Sequence, residues 1–586
     1  MCRKACRSIH EYTLAIVGWL AVLPTFAAEP LWESSLPAPA AWHRLTGIGT
    51  LVVGTGDSLL SLDPDSGQLL WRRGDITGSA PYLVREVDDL PLLVVGEFSA
   101  EASSQTGPTG VNYITGETAW RAAPSGGRTL GIFPVPARNL VVVFETVGEG
   151  MPGGQGVYVR GIQASDGLTL WRTRYRAGAS PLTLHRPDDD GTPSSGDDLS
   201  GHPAPVVADG VMYVPFDGLA AIDLADGHIS WDVSFLTADR RYKRAYPAPV
   251  VADDLVFAAG HDGAVYALER SSGRVRWKAT EIPSGLVSQL LITTDTVFAR
   301  IGGNFYSQKE RQYLLDKPLG VIAIDRASGA RRWEYLAAQD GMTNLVYMDD
   351  RRVLAFADGH DIVGLEATQA GKVVESFRVP IEFKRQITAT ELTTKGFRAL
   401  SGLFKGGLTG AQRSATAGGS VGHDAPVAIR PQPDGSLLLR GQQHLLMFDP
   451  ERALIRWSTH YPAPQVSGIS VASMAAMSIV SAARNAVSQA LDHEATSGQG
   501  NWGGLGALAS RRSSASADAG RYTYVLTDVE DDGRKGTGIM AVDMSTGAPA
   551  TRILLDDPAP DYRVDEVLGR LYYFKDHRDV SAFALR

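Results

Sequence analysis

The chain has 586 residues, 44% of them hydrophobic and 21% charged, and a formal net charge of −9. That balance suits a folded chain with a sizeable core and excludes disordered and collagen-like classes. The acidity removes the electrostatic footprint of a nucleic-acid binder, and 63 glycines make the chain rich in turn formers, as many short strands require.

At the start, Arg3, Lys4 and Arg7 precede an apolar run from Tyr12 to Phe26, followed by the small residues Ala27 and Ala28. This is the layout of a secretory signal peptide cut near Ala27 or Ala28. The run is short for an uncleaved membrane anchor. The expected division is therefore a signal peptide over 1–27 and one folded unit over 28–586. Cys2 and Cys6 are the only cysteines and both precede the run. A mature chain would then carry no thiol, no disulfide and no cysteine in the position that lipidation needs. Losing Arg3, Lys4, Arg7 and Glu11 takes the charge from −9 to −11.

From Leu31 onward one phrase recurs. Its clearest copy is Ala221-Ile222-Asp223-Leu224-Ala225-Asp226-Gly227-His228-Ile229-Ser230-Trp231. Alternation before the Asp predicts a strand, the Asp side chain can bond turn N–H groups, and the Gly can take the left-handed conformation of a bulged hairpin turn. The Trp then falls on the returning strand, where a large flat ring can fill the gap between sheets. Copies of Gly-x-x-x-Trp occur at Gly67/Trp71, Gly116/Trp120, Gly167/Trp171, Gly227/Trp231, Gly273/Trp277 and Gly329/Trp333, with tryptophans 49, 51, 60, 46 and 56 residues apart. That is the period of a four-stranded propeller blade with variable loops.

Three further copies are degraded. Gly371 is followed by Glu375 where Trp is expected, Trp457 is preceded by Ala453 in place of Gly, and Gly547 is followed by Thr551. At the ends, Val580–Leu585 matches the strand before the turn and Leu31-Trp32 the strand after it, so the two termini are expected to share a blade and close the ring. The fold class expected is all-β: a closed propeller of four-stranded blades, ten units by count with eight as the alternative. Trp32, Trp71, Trp120, Trp171, Trp231, Trp277, Trp333 and Trp457 are its structural rings.

The copies Ser61-Leu62-Asp63-Pro64-Asp65-Ser66-Gly67-Gln68-Leu69-Leu70-Trp71 and Ala323-Ile324-Asp325-Arg326-Ala327-Ser328-Gly329-Ala330-Arg331-Arg332-Trp333 resemble the PQQ-type propeller repeat. Two groups share that repeat. Quinoprotein alcohol dehydrogenases would need a quinone pocket on the ring axis, a calcium ion and an Asp base, and many carry a disulfide between adjacent cysteines that this chain cannot form. The other group comprises non-catalytic propellers similar to the outer-membrane assembly lipoprotein BamB. The resemblance implies a periplasmic, non-catalytic scaffold without cofactor, working with protein partners of the cell envelope. A quinoprotein dehydrogenase is the alternative.

Two strings along the way read as loops. Asp188–Asp198 clusters carboxylates, but its twelfth position is Leu199 rather than the Glu of a calcium loop. Gly148-Glu149-Gly150-Met151-Pro152-Gly153 matches a dinucleotide fingerprint as a string, yet lies between the strand-like runs Val141–Glu145 and Val157–Gly161 with no helix to meet a phosphate. No catalytic constellation and no metal-ligand spacing is present: the 12 histidines are scattered, and Asp63, Asp223, Asp325 and Asp543 read as turn residues.

Two insertions break the blade spacing, at about 384–422 and 468–520. The first is basic and carries Lys395, Phe397, Arg398, Leu400, Phe404 and Lys405 at helix-like spacing, a pattern able to meet a partner or an anionic membrane surface peripherally. The second is Ala-rich, with Met474, Met477, Val480 and Arg484 on a helical stretch expected over Ser470–Glu494. These ten residues are the candidate partner-binding positions.

Overall fold

A computed structural model describes residues 29–585, except 78–80, 97–106, 125–126, 148–155, 178–198, 200–202, 217, 234–241, 244–246, 261, 284–285, 308–311, 368–371, 382–425, 442–443, 462–517, 520, 532, 556, 558–559 and 566–567. Ten antiparallel sheets of four strands follow one another along the chain, so the count is ten and the alternative of eight falls. Blade 1 consists of Ala40–Leu45, Leu51–Thr55, Leu59–Leu62 and Leu69–Arg73, here called strands A to D from inside to outside. Blades 2 to 9 span 84–121, 127–177, 206–233, 250–279, 287–338, 346–380, 426–460 and 518–554. Blade 6 gains a fifth strand, Tyr242–Lys243, against the far end of its strand B.

The last blade closes the ring. Asp561–Asp565, Arg570–Lys575 and Asp579–Ala584 supply strands A to C, and Trp32–Ser35 from the other end of the chain supplies strand D, with Trp32 opposite Ala582. Three strands thus come from the C-terminal side and one from the N-terminal side. Closure leaves the first blade no bare face for other chains to pair with. Each seam has its own apolar cluster: Trp32, Tyr572 and Phe574 meet Leu51, Val53 and Leu60 between blades 10 and 1, and Tyr524 and Ile539 meet Tyr562 and Leu571 between blades 9 and 10.

The repeated phrase works across seams. Gly67 has φ +68°, and a Cβ there would sit 2.3 Å from the Trp32 ring of the preceding blade. Gly227 (φ +74°) stands in the same relation to Trp171, and Gly329 (φ +76°) to Trp277. Trp32, Trp71, Trp120, Trp171, Trp231, Trp277 and Trp457 each lie on the next blade's turn glycine in this way, and that glycine is required both for its left-handed backbone and for its missing side chain. The indole N–H completes the joint. Trp32, Trp71, Trp120, Trp171, Trp231, Trp277 and Trp457 donate to the backbone carbonyls of Pro64, Tyr113, Ala164, Leu224, Arg270, Arg326 and Met544, one residue past the next blade's turn Asp or its equivalent. The turn Asp does what its side chain predicts: Asp63 Oδ1 accepts from the N–H groups of Asp65 and Ser66, and Asp325 Oδ1 from those of Ala327 and Ser328.

The degraded copies have physical reasons. In blade 7 the sequence places Glu375 at the ring position, but the structure puts Phe377 there, opposite Gly364. The turn 367–374 is longer than its counterparts, so the spacing shifts while the aromatic survives. Phe377 serves the blade whose turn carries Ala453, held at φ +49°. In blade 9 Thr551 takes the ring position opposite Ala541. The next blade's C–D turn is where the chain ends meet, so no turn glycine awaits a ring. Trp333 has no partner for its indole N–H among the described residues. Around these seams the inner strands take over. Gln289 bonds both ways with the backbone of Leu345 (2.7 and 3.2 Å), and Asn344 with that of Ile429 (2.9 and 3.0 Å), which ties blades 6, 7 and 8 together near the axis. Trp42, unassigned in the repeat, fills the seam between blades 1 and 2, its ring over Gly54.

Candidate functional site

Antiparallel strands alternate in direction, so every A–B and C–D connection lies at one face of the ring and every B–C and D–A connection at the other. On the first face none is longer than the turn at 367–374. On the second face the chain runs through 96–108, 178–205, 234–249, 381–425 and 461–517. Blades 3, 6 and 9 also extend their B–C hairpins there, with strands Leu140–Val147 and Gly156–Gln163, Thr296–Ser307 and Gln312–Asp325, and Tyr522–Asp531 and Arg534–Asp543. The first face is occupied by the turns that weld the blades. The second, the loop face, has sequence to spare, which is where binding residues collect on rigid scaffolds.

Both insertions open on this face at adjacent seams, between Pro380 and Pro426 and between His460 and Asp518. Lys395, Phe397, Arg398, Leu400, Phe404, Lys405, Met474, Met477, Val480 and Arg484 lie outside the described residues, as do the helices expected around them and the Asp188–Asp198 loop. The Gly148–Gly153 string also lies outside them, but its flanking strands pair as a hairpin, Val147 opposite Gly156.

Two buried polar groups near the loop face carry no signature in the repeat. At the closing seam, His43 of blade 1 is stacked on Phe574 at 3.9 Å and meets Asp561 Oδ1 at 3.0 Å through Nε2. His577, on blade 10's B–C turn, approaches the other oxygen of Asp561 at 3.1 Å. In blade 3 the Glu145 carboxylate, almost wholly buried, lies 2.9 Å from Arg172 Nε and 3.3 Å from Arg160 Nη2. Burial pulls Arg160 down from the usual arginine range, and the Glu145 charge opposes that. Between blades 1 and 2, burial pushes Glu86 above the ordinary carboxylate range although Gly47 N–H bonds it. Sequence could not pair His43 with Asp561, 518 residues apart. Among the described residues, no group of three or more His, Cys, Asp or Glu is arranged to hold a metal ion, and no helix is long and apolar enough to cross a membrane.

Fold and phrase together define the class: the described residues form a ten-bladed propeller, and its recurring phrase is similar to the PQQ-type repeat. A family model described as outer membrane protein assembly factor BamB matches residues 155–371, from strand C of blade 3 through strand C of blade 7, and stops before both insertions. An outer membrane protein assembly factor BamB of Kangiella koreensis is 27% identical over 28% of this chain and 37% of its own length. Its namesake in Yersinia pestis is 23% identical over 47% of this chain and 60% of its own. A tetrathionate hydrolase of Acidithiobacillus ferrooxidans is 24% identical over 21% of this chain and 27% of its own. The matched part thus spans between about a quarter and three fifths of these relatives. Among solved structures, BamB from Moraxella catarrhalis aligns at 13% identity with a TM-score of 0.32, covering 72% of this chain and 97% of its own. A europium-containing methanol dehydrogenase aligns at 11% with a TM-score of 0.31, covering 71% and 87%. Structural likeness at this level carries no argument.

Proposed function

We propose that this protein is a non-catalytic docking scaffold of the bacterial cell envelope, working in outer-membrane assembly, whose loop face receives a protein partner in the periplasm. One observation carries the reading: every long connection, both insertions included, leaves the ring on the same face, while the opposite face is taken up by the short A–B and C–D turns that pack against neighbouring blades. A ring closed by ten seams is rigid, so loops mounted on it can meet a broad partner surface with little ordering cost. The similarity to BamB supplies the assembly context, and the signal-like start supplies the compartment.

Deleting 395–418 or 470–516 is expected to leave the unfolding transition of the ring within error of the full chain and to abolish a partner cross-linked in cells. If both deletions keep every cross-linked partner, the insertions are not the site. The non-catalytic part has its own test. Reconstitution with pyrroloquinoline quinone and Ca²⁺, followed by dye reduction across alcohols and sugars, is expected to give no turnover above the untreated protein. Turnover would overturn it. Salt-sensitive co-sedimentation with anionic vesicles would instead assign the basic insertion to the membrane surface.

A further inference from the structure

On strand B of blade 6 the side chains alternate. Val297, Ala299 and Ile301 enter the cluster shared with blade 5, and Phe298 enters the one shared with blade 7. Arg300 follows Phe298 on the blade 7 side, at a position inside the seam, and is only 6% exposed. The repeat itself shows what blade building asks for there. Aligned on the turn Asp, eight blades place a small or apolar residue at this position, among them Gly54, Ala259, Ala357, Leu526 and Phe574. Arg440 of blade 8 is the other exception.

The Arg300 guanidinium is poorly matched by what surrounds it. Nη2 donates to the Met342 carbonyl in the connection to blade 7, and Nε has no partner among the described residues. No carboxylate among the described residues forms an ion pair with it. The acids beside that connection are committed elsewhere: Asp358, on blade 7's B–C turn and bridged to Met342, accepts from the N–H groups of Gln339, His360 and Asp361, and Asp340 meets His360. Burial alone pulls Arg300 down to about 10, so it remains a cation at neutral pH. A buried charge without a counter-charge is strongly disfavoured. Immediately toward the loop face the strand bulges through Gly302 and Gly303, both at positive φ, and among the described residues a Cβ on Gly303 would meet only Leu286, at 3.8 Å. The backbone thus leaves room at Gly303, three residues beyond Arg300 toward the loop face.

We propose that Arg300 is the receptor for an anionic group, a carboxylate or phosphate oxygen pair, that enters the seam between blades 6 and 7 from the loop face. The planar fork of a guanidinium suits two parallel N–H···O bonds to such a group, and Nε is the donor left over for one of them. The group can come from a small free anion or from an acidic chain terminus of a peptide. The site does not depend on the insertions, so it stands or falls separately from the docking reading.

The test uses the full-length protein at constant ionic strength. Thermal unfolding is followed in chloride, with inorganic phosphate or acetate replacing part of the chloride, and with a short alanine–glycine peptide bearing a free or an amidated C-terminus. The wild type is expected to melt higher with phosphate, acetate or the free-carboxylate peptide than in chloride. Arg300→Met, which gives the seam the apolar side chain other blades have, is expected to lose that response while melting in chloride at or above the wild-type temperature. Arg300→Lys is expected to keep a response at least tenfold weaker in apparent affinity. A response to phosphate and acetate alone assigns a small anion, and one to the free-carboxylate peptide alone assigns a chain terminus. A wild type indifferent to every probe, or a methionine variant with an undiminished response, overturns the proposal. Should the methionine variant not fold, the wild-type titration decides alone.

Discussion

Replacing Gly227 by alanine tests the joint between blades directly. Gly227 holds φ +74°, and an added Cβ would lie 2.3 Å from the Trp171 ring. Two costs are involved. An L-residue in the left-handed region costs about 1–2 kcal/mol, offset by about 0.4–1 kcal/mol because alanine restricts the unfolded chain. Displacing the ring from a packed seam adds about 1–3 kcal/mol. Gly435 separates the two, since it sits at φ +77° with nothing within 4 Å of its would-be Cβ. Urea unfolding followed by tryptophan fluorescence should place Gly435→Ala about 1 kcal/mol below the wild type and Gly227→Ala a further 1–3 kcal/mol lower. Shrinking the ring with Trp171→Phe should then recover part of the Gly227→Ala loss, giving a positive coupling in the double-mutant cycle. The protein already carries such a pair: Phe377 is the ring and Ala453, at φ +49°, the turn residue between blades 7 and 8. If the two glycine variants cost the same, or if the cycle shows no coupling, the claim that rings rest on the next blade's glycine is wrong.

Two further outcomes follow from the geometry. Trp277 donates its indole N–H to the Arg326 carbonyl at 2.8 Å, whereas Trp333 has no acceptor among the described residues, so Trp277→Phe should cost about 1 kcal/mol more than Trp333→Phe in urea unfolding; equal costs would refute the ladder as an energetic contributor. The Arg332 guanidinium and the Ser328 hydroxyl hold Asp325 down to about 2, below the value near 4 of an unfolded carboxylate. That contribution is therefore present above about pH 4 and is lost as pH falls from there toward 2. Arg332→Met should flatten this acid limb in a pH series of unfolding midpoints, and limbs that stay parallel would count against the pairing.

Much of the fold was legible because the phrase is local. Asp, Gly and Trp within one turn are dictated by the conformation of that turn and by the ring that follows it, so six blades could be read from short windows. Even the closing blade was visible, since each terminus keeps half of the phrase. Phe377 was missed because three extra residues in its turn moved the ring out of frame, while strand pairing restored it to its place. The tall hairpins of blades 3, 6 and 9 gave no signal beyond ordinary alternation. The ten candidate residues of the insertions came from composition and helical spacing alone, and lie outside the described residues.

The amino-acid order by itself determined the unit: strand, Asp-led turn, left-handed glycine and ring, repeated until the chain met its own beginning. It could not state that a ring belongs to the turn residue of the following blade, that Asp561 would reach His43, or that Arg300 would fall where eight blades keep a small or apolar side chain. Those are relations between residues distant in sequence. Only closure into ten blades decided them, because closure fixes which faces are buried against each other and which end of every strand carries the long connections.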